Sequence, residues 1–441
     1  MFDSKREPER RLTFTTISLN SGIVACILAV FLAACQRQEP PNHLDLQAVT
    51  VAHDNPVFPT STPFQPYASP SPIDCTADEV TDYLDAILDY TSTDRPFIHL
   101  ENNQLIRGGE PFIVRGFNYY PIEYPFWRFL QVDRTTLTWD MELMASSGVN
   151  TIRIFVWNEP LFTCPNQGVI PVARQFERLD VIIQAAANQN LYLIITLHEQ
   201  ADITYPPMYE NPNSIIAQTE YLVQRYRDEP TILAWDLRDS GDADYQGGLI
   251  GGIQHDPKFD RRTVVDWLIR TAAAIRTIDD QHIITAGWND DSVATLIAVD
   301  MISFQFWDDP DLLSDYINEL DQQVDKPLLL IGIGYDSQTH NPSQQSSMLR
   351  QALNAAEQSI EWEQTVGWLV WTTFDFAPGS ACDIVACPNG TEDPRHFFGL
   401  WNVDRSPKPA VNVIDVITQP SQPIPPPSLE PSPSLEPSPD S

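Results

Sequence analysis

Basic residues are scarce in this chain of 441 amino acids: 26 Lys and Arg stand against 60 Asp and Glu, a formal net charge of −34. That deficit argues against a nucleic-acid partner, because phosphates are bound through Lys and Arg. It suits a surface that meets a neutral polymer such as a polysaccharide, and a need for solubility explains it equally well. No Gly-rich phosphate loop follows the first strand-like run, which weighs against an open, doubly wound dinucleotide fold. No His pair stands beside the cysteines at ligand spacing, so neither a metal nor another cofactor is expected. A long membrane span is missing too. The mostly apolar run from Ile17 to Ala34 is short for one and is interrupted by Asn20 and Ser21.

What that run does resemble is an export signal. Lys5, Arg6, Arg10 and Arg11 precede it, and it ends in Leu32-Ala33-Ala34-Cys35, small residues before a cysteine. The close is similar to a bacterial lipobox, which implies that residues 1–35 are a lipoprotein signal segment cleaved before Cys35, that Cys35 is lipidated as the mature N-terminus, and that the domain is extracytoplasmic and membrane-anchored. Setting aside Cys26 and Cys35 leaves Cys75, Cys164, Cys382 and Cys387, an even number in an oxidising setting. Proximity favours a Cys382–Cys387 disulfide, which leaves Cys75–Cys164 to tie the N-terminal extension to the domain.

Residues 36–72 are rich in Pro, Ser and Thr and read as a linker, and 420–441 as a Pro-rich disordered tail. Residues 73–419 between them form one globular segment. A first helix is expected near Thr76, with Thr76 and Glu79 at capping-box spacing. Beyond it, apolar runs at 112–117, 151–156, 191–197, 232–237, 282–286, 301–306, 328–333 and 366–371 read as eight strands. Most are separated by helical patterns, such as Phe176, Leu179, Ile183 and Ala186, or Val264, Leu268, Ala272 and Ile275. A third pattern, Leu349 to Ile360, has Ser343 as its expected cap. Runs apolar throughout are what parallel strands covered on both faces require. Eight of them, each followed by a helix, predict an α/β fold closed as a (β/α)8 barrel, a size normal for one domain, and a monomer is expected.

In such a barrel the site lies where the strands end. Those ends carry Asn118, Arg153, Trp157, His198, Asp239, Trp288, Gln305, Trp307, Tyr335 and Trp371. Aromatic faces stack on sugar rings while amides and acids take hydroxyls, so these residues are the expected lining of a polysaccharide- or oligosaccharide-binding cleft. One tryptophan alone would read as a rim plug; four at strand ends read as a cleft.

The pattern resembles the clan A glycoside hydrolases, close to family 5, the cellulase- and mannanase-like enzymes, from about Phe97 to Thr418. Its carriers are Arg-Gly-Phe-Asn at 115–118, Gly-Val-Asn-Thr-Ile-Arg at 148–153, His198, Ala-Trp-Asp-Leu-Arg at 234–238, Lys-Pro-Leu-Leu-Leu at 326–330, Trp371, and Gly-Leu-Trp-Asn-Val-Asp at 399–404. The resemblance implies retaining hydrolysis by two carboxyl groups about 5–5.5 Å apart. One is the Glu of an Asn-Glu pair ending strand 4; the other is a Glu ending strand 7, followed by an apolar residue and Gly. Here the first place reads Asp239-Ser240 and the second Gly332-Ile333-Gly334. Strand 6, where the family often has His, carries Gln305. A hydroxyl and a bare backbone replace the acid/base and the nucleophile, and loss of a positioned acid/base alone forfeits about 10²–10⁴-fold. A catalytically impaired or inactive glycan-binding lipoprotein is therefore expected.

Two other readings stand beside it. One is an active hydrolase on β-linked polysaccharide using relocated carboxylates. Asp239 is foremost among these, with Glu199, Asp242, Asp244, Asp290, Asp308 and Asp336 at the mouth, although most of them are expected to be solvated surface groups. Asn158-Glu159-Pro160 spells the family's acid tripeptide but follows strand 2, so a rim or cap role is expected for Glu159. The other is a structural or protein-binding lipoprotein that kept only the scaffold.

Overall fold

The computed structural model describes residues 90–418 except 164–168, 200–207, 211, 251–252, 383–386 and 388. All of them fall in the unit Pro66–Ser441. The expected signal segment with Cys35, the linker, the helix near Thr76, Cys75, Cys164 and the Pro-rich tail lie outside the described residues. No helix among the described residues is long and apolar enough to cross a membrane.

The eight expected strands are present as β1 Val114–Asn118, β2 Thr151–Phe155, β3 Tyr192–Thr196, β4 Ile232–Asp236, β5 Ile283–Thr285, β6 Ile302–Phe306, β7 Leu328–Ile333 and β8 Thr365–Val370. They are parallel and pair in the order 5-4-3-2-1-8-7-6. The ring closes through the fifth stave. Ile283–Thr285 pairs with β4, the chain breaks step at Ala286, and Gly287–Trp288 pairs with β6. The core has two shells. Alternate residues such as Ile152, Ile154, Leu193 and Ile195 pack outward under the helices. Val114, Ile194, Leu233, Ile331 and Leu369 face a second cluster that also holds Ile98, Leu105 and Phe112. These last three come from a three-stranded antiparallel sheet, Ile98–Glu101, Gln104–Arg107 and Glu110–Pro111. Its turns place Asn102, Asn103, Gly108 and Gly109 at positive φ, as tight hairpins require. Because the Phe112 N–H donates to Leu105 O at 2.7 Å, Phe112 belongs to this sheet, and β1 starts two residues later than its apolar run.

The outer layer comprises α1 Arg134–Ser146, α2 Ala173–Asn188, α3 Pro212–Tyr226, α4 Arg261–Arg276, α5 Leu313–Asp321, α6 Asn341–Glu361 and α7 Val411–Thr418. The periodic residues lie where the spacing puts them: Phe176, Leu179, Ile183 and Ala186 are buried on α2, and Val264, Leu268, Ala272 and Ile275 on α4. Two details depart from expectation. After β5 there is only a short 3-10 turn, Ser292–Ile297, because few residues separate Trp288 from Ile302. Ser343 does not cap α6. The Asn341 side chain accepts from the N–H groups of Ser343 and Gln344 at 3.1 Å, which places Ser343 inside the first turn.

Candidate functional site

The floor of the mouth is an ion network built on Arg153. Strand geometry turns this side chain into the barrel, where it is 1% exposed. Its guanidinium donates to Asp236 and, at 2.7 Å, to Asp239, with Thr196 Oγ1 at 2.9 Å and Asn118 Oδ1 at 3.2 Å. Asn118 is in turn locked by Nδ2–H bonds to the carbonyls of Ile331 and Val370, so it braces Arg153 and three strands at once. Asp236 was not singled out by the sequence. The available signal was an acid inside an otherwise apolar strand, which burial tolerates only beside a cation.

Above this floor the strand ends form a ring. Trp371 stands edge-on to Tyr120 and Phe155, at 6.1 and 5.9 Å between centroids. The Tyr120 hydroxyl donates to Glu199, which also accepts from Trp157 Nε1 at 2.6 Å. Glu199 and Asp239 face the same Tyr120 and Arg153. Asp239 then accepts from Gln305 Nε2 at 3.0 Å, and Gln305 reaches Ser240 Oγ at 3.1 Å and Gly287 O at 2.8 Å. Gln305 pairs in register with Gly332 on the next strand. A Cβ at Gly332 would lie 3.3 Å from Gln305 Cγ and 3.5 Å from Trp307 Cζ2. Trp307, 43% exposed, closes the ring 6.5 Å from Trp371. Ser240 and Gly332 thus flank one amide side chain from opposite strands. The amide is uncharged and accepts or donates hydrogen bonds; it neither transfers a proton near neutral pH nor attacks carbon.

Glu199 is the most perturbed acid of the ring. Burial pushes its carboxyl up to about 8, the charge of Asp239 pushes in the same direction, and the bonds from Tyr120 and Trp157 oppose them. No described residue donates to its Oε1. The folded value lies above the ordinary 4.5, so the fold favours the neutral form. Stability from that preference is whole below about 4.5 and is lost as pH rises through about 8. Wild type should therefore lose stability relative to Glu199→Gln between these values, by up to about 1.4 kcal/mol per pH unit. Urea unfolding of both proteins across that range reads the difference directly. Parallel curves would mean that Glu199 is hydrated.

The remaining expected residues separate into floor, rim and packing. His198 is buried, its Nε2 2.9 Å from Thr219 Oγ1, and burial with Arg238 nearby holds it neutral, lowered to about 3. Tyr335 is buried with its hydroxyl toward Asp308 O at 3.4 Å. Trp288, expected to stack on sugar, is fully buried against Gly241 and Tyr245 and has no free face. Trp157 is buried too and offers its N–H to Glu199 rather than an open ring. The open aromatics are Trp307 and the half-buried Trp371.

The expectation of solvated mouth acids fails for four of them. Glu199, Asp242, Asp244 and Asp336 are buried. Asp242 accepts from the N–H groups of Asn289, Asp290 and Asp291, and Asp244 pairs with buried Arg238 at 3.0 Å. Asp336 accepts from the N–H groups of Gln338 and Thr339. Asp290 and Asp308 are exposed, and Glu159 is exposed in the short helix Asn158–Leu161. The Cys382–Cys387 disulfide is formed, with Cα atoms 5.2 Å apart. One histidine lies beside it: His396 Nε2 is 3.8 Å from Cys382 Sγ. With both sulfurs bonded to each other, neither is a thiolate ligand.

Comparison with known proteins places this geometry in a family. The model for Cellulase (glycosyl hydrolase family 5) matches residues 107–328, half of the chain. The chain belongs to glycosyl hydrolase family 5. Among curated proteins it is similar to mannan endo-1,4-beta-mannosidase 1 of Arabidopsis thaliana, 23% identical over 220 residues, covering 43% of this chain and 50% of that relative. This family 5 chain therefore matches about half the length of that relative.

Solved structures with the same fold include a GH5 protein of Streptomyces cattleya in complex with Manβ1-4GlcNAc, with TM-score 0.56, 15% identity, and 69% and 79% of the two chains covered. A glycoside hydrolase family 5 mannosidase of Rhizomucor miehei gives 0.55 at 14% identity, covering 74% and 98%. A β-glucuronidase of Ruminococcus gnavus, solved with a C6-substituted uronic isofagomine, gives 0.53 at 16%, covering 74% and 53%. At these identities the likeness establishes the barrel and nothing finer.

Proposed function

We propose that this family 5 barrel binds β-linked polysaccharide or oligosaccharide outside the cytoplasm, held to a membrane by a lipid on Cys35, and that it does not carry out retaining hydrolysis. The observation that carries the reading is the pair Ser240 and Gly332 on either side of Gln305. These are the strand-4 and strand-7 ends where the family resemblance calls for two glutamates. With an amide between a hydroxyl and a bare backbone, the covalent path has no nucleophile and the leaving oxygen has no raised-pKa donor from strand 4. Asp239 does not take over either role. Its oxygens already accept from Arg153, Gln305 and Ser240, which makes it a hydrogen-bonding group. The retained binding surface is Trp307 and Trp371 around the polar ring, and the mannan-acting relative makes β-mannan the first ligand to try.

The test is calorimetric titration of the monomeric protein with manno-, cello- and xylo-oligosaccharides, paired with a reducing-sugar assay. Binding without sugar release is the expected outcome. Trp307→Ala and Trp371→Ala should each weaken binding by about tenfold, the loss of one stacking platform. A structural or protein-binding lipoprotein would bind none of these sugars. Sugar release by the wild type would overturn the loss of catalysis.

A further inference from the structure

The end of β5 reaches the mouth through one residue, and it is not the tryptophan. Trp288 is packed behind the neighbouring turn, and the next residue, Asn289, is half-buried. The backbone of Asn289 is held from two sides. The buried Asp242 carboxylate accepts from its N–H at 3.0 Å and from the next two N–H groups, those of Asp290 and Asp291. The Tyr316 hydroxyl donates to its carbonyl at 3.1 Å. With both peptide groups clamped, only the side-chain torsions of Asn289 are left to set. Trp307 sets them: its indole Nε1–H donates to Asn289 Oδ1 at 3.3 Å. An indole N–H only donates, so the oxygen of the amide, and not its nitrogen, faces Trp307.

The same bond fixes the tryptophan. Trp307 is 43% exposed, and its ring neighbours Trp371 and Phe398 meet it edge-on, 6.5 and 6.2 Å away between centroids. Gly332 beside it contributes no side chain to lean on. Edge contacts at that range leave an exposed indole room to change rotamer, and its hydrogen bond among the described residues is the one to Asn289. Asp242 lies two residues past Ser240 in the turn after β4. The path Asp242–Asn289–Trp307 therefore ties the stacking face to the turn that carries Asp239 and Ser240.

We propose that Asn289 is the positioning residue of the Trp307 platform: it holds the indole ready for a sugar ring, while Asp242 and Tyr316 hold Asn289. This rests on the reading of the mouth as a glycan cleft and adds the residue that pre-organises one of its two open aromatic faces. A stacking side chain fixed before the ligand arrives does not give up rotamer freedom on binding. That freedom is worth about two- to tenfold in affinity.

The experiment is calorimetric titration of the whole protein with manno-, cello- and xylo-oligosaccharides, for wild type, Asn289→Ala, Trp307→Ala and the two together, with Trp371→Ala as the reference background. Asn289→Ala removes a side chain and leaves the N–H and C=O that Asp242 and Tyr316 hold, so its urea midpoint should match that of the wild type. It should weaken the tightest-bound oligosaccharide by about two- to tenfold. In the Trp307→Ala background the same change should have almost no effect, because the group it positions is gone, whereas beside Trp371→Ala its effect should persist. Should the urea midpoint of Asn289→Ala fall, Tyr316→Phe, which deletes a single hydroxyl, should show the same dependence on Trp307. Wild-type affinity in Asn289→Ala overturns the inference and leaves the glycan cleft standing. An equal loss with and without Trp307 also overturns it, since Asn289 would then be a separate contact. No binding of any oligosaccharide by the wild type overturns the cleft itself, and the inference with it.

Discussion

Ser240→Glu combined with Gly332→Glu is expected to give measurable hydrolysis of a β-linked oligosaccharide with retention of anomeric configuration, and either change alone to give none. Both positions border Gln305, one through a 3.1 Å hydrogen bond and the other through a would-be Cβ contact of 3.3 Å, so two carboxyl groups there face one another across a single side chain. The retaining reaction needs a nucleophile and an acid/base about 5–5.5 Å apart, and these are the two strand ends that would supply them. The backbone admits both changes. Ser240 already holds positive φ, 47°, with a non-glycine side chain, and Gly332 needs only a few tenths of an ångström from Gln305. A gain of at least about 10²-fold over the single variants is expected, the lower end of what a positioned acid/base supplies. Product anomers followed by NMR immediately after mixing read both rate and stereochemistry. An inactive double variant that still binds glycan would show that more than these two groups has been lost.

Removing the cation under the ring should have the largest effect on stability. Arg153→Met is expected to cost about 3–5 kcal/mol, because it leaves Asp236 and Asp239 inside the barrel without their shared counter-charge. Asn118 and Thr196 lose a partner as well. Denaturant titration of wild type and variant gives the difference directly. Asp239→Asn, which keeps Asp236 as the ion partner and preserves an acceptor, should cost far less. A loss of about 1 kcal/mol or less for Arg153→Met would mean that water reaches these carboxylates and that the network is not sealed.

The barrel was legible because its strands are covered on both faces, and such strands read as unbroken apolar runs whose number and order survive in one dimension. The positions of Ser240, Gly332 and Gln305 at strand ends followed from counting along those runs. Glu199 did not follow. As a lone acid after His198 it looked like a solvated rim group, and only Tyr120, 79 residues away, and Trp157, 42 away, make it a buried one. Trp288 failed in the opposite sense. A strand end offers a tryptophan to the mouth or to the packing behind the neighbouring turn, and the break at Ala286 that closes the barrel sends it behind. The cap of α6 belonged to Asn341 rather than Ser343 because both suit a helix start and the local backbone chose between them.

By itself the amino-acid order determined what is periodic or adjacent: the eight strands, the helices that cover them, the Cys382–Cys387 loop, and which residue types stand at each strand end. The tertiary structure decided what depends on neighbours from distant segments: which mouth acids are buried, which of them share Arg153, which aromatics keep an open face, and that Ser240 and Gly332 meet at Gln305. The physical reason is one of range. Backbone propensity and apolar periodicity act over a few residues, whereas desolvation and charge pairing are set by whatever the closed barrel brings alongside.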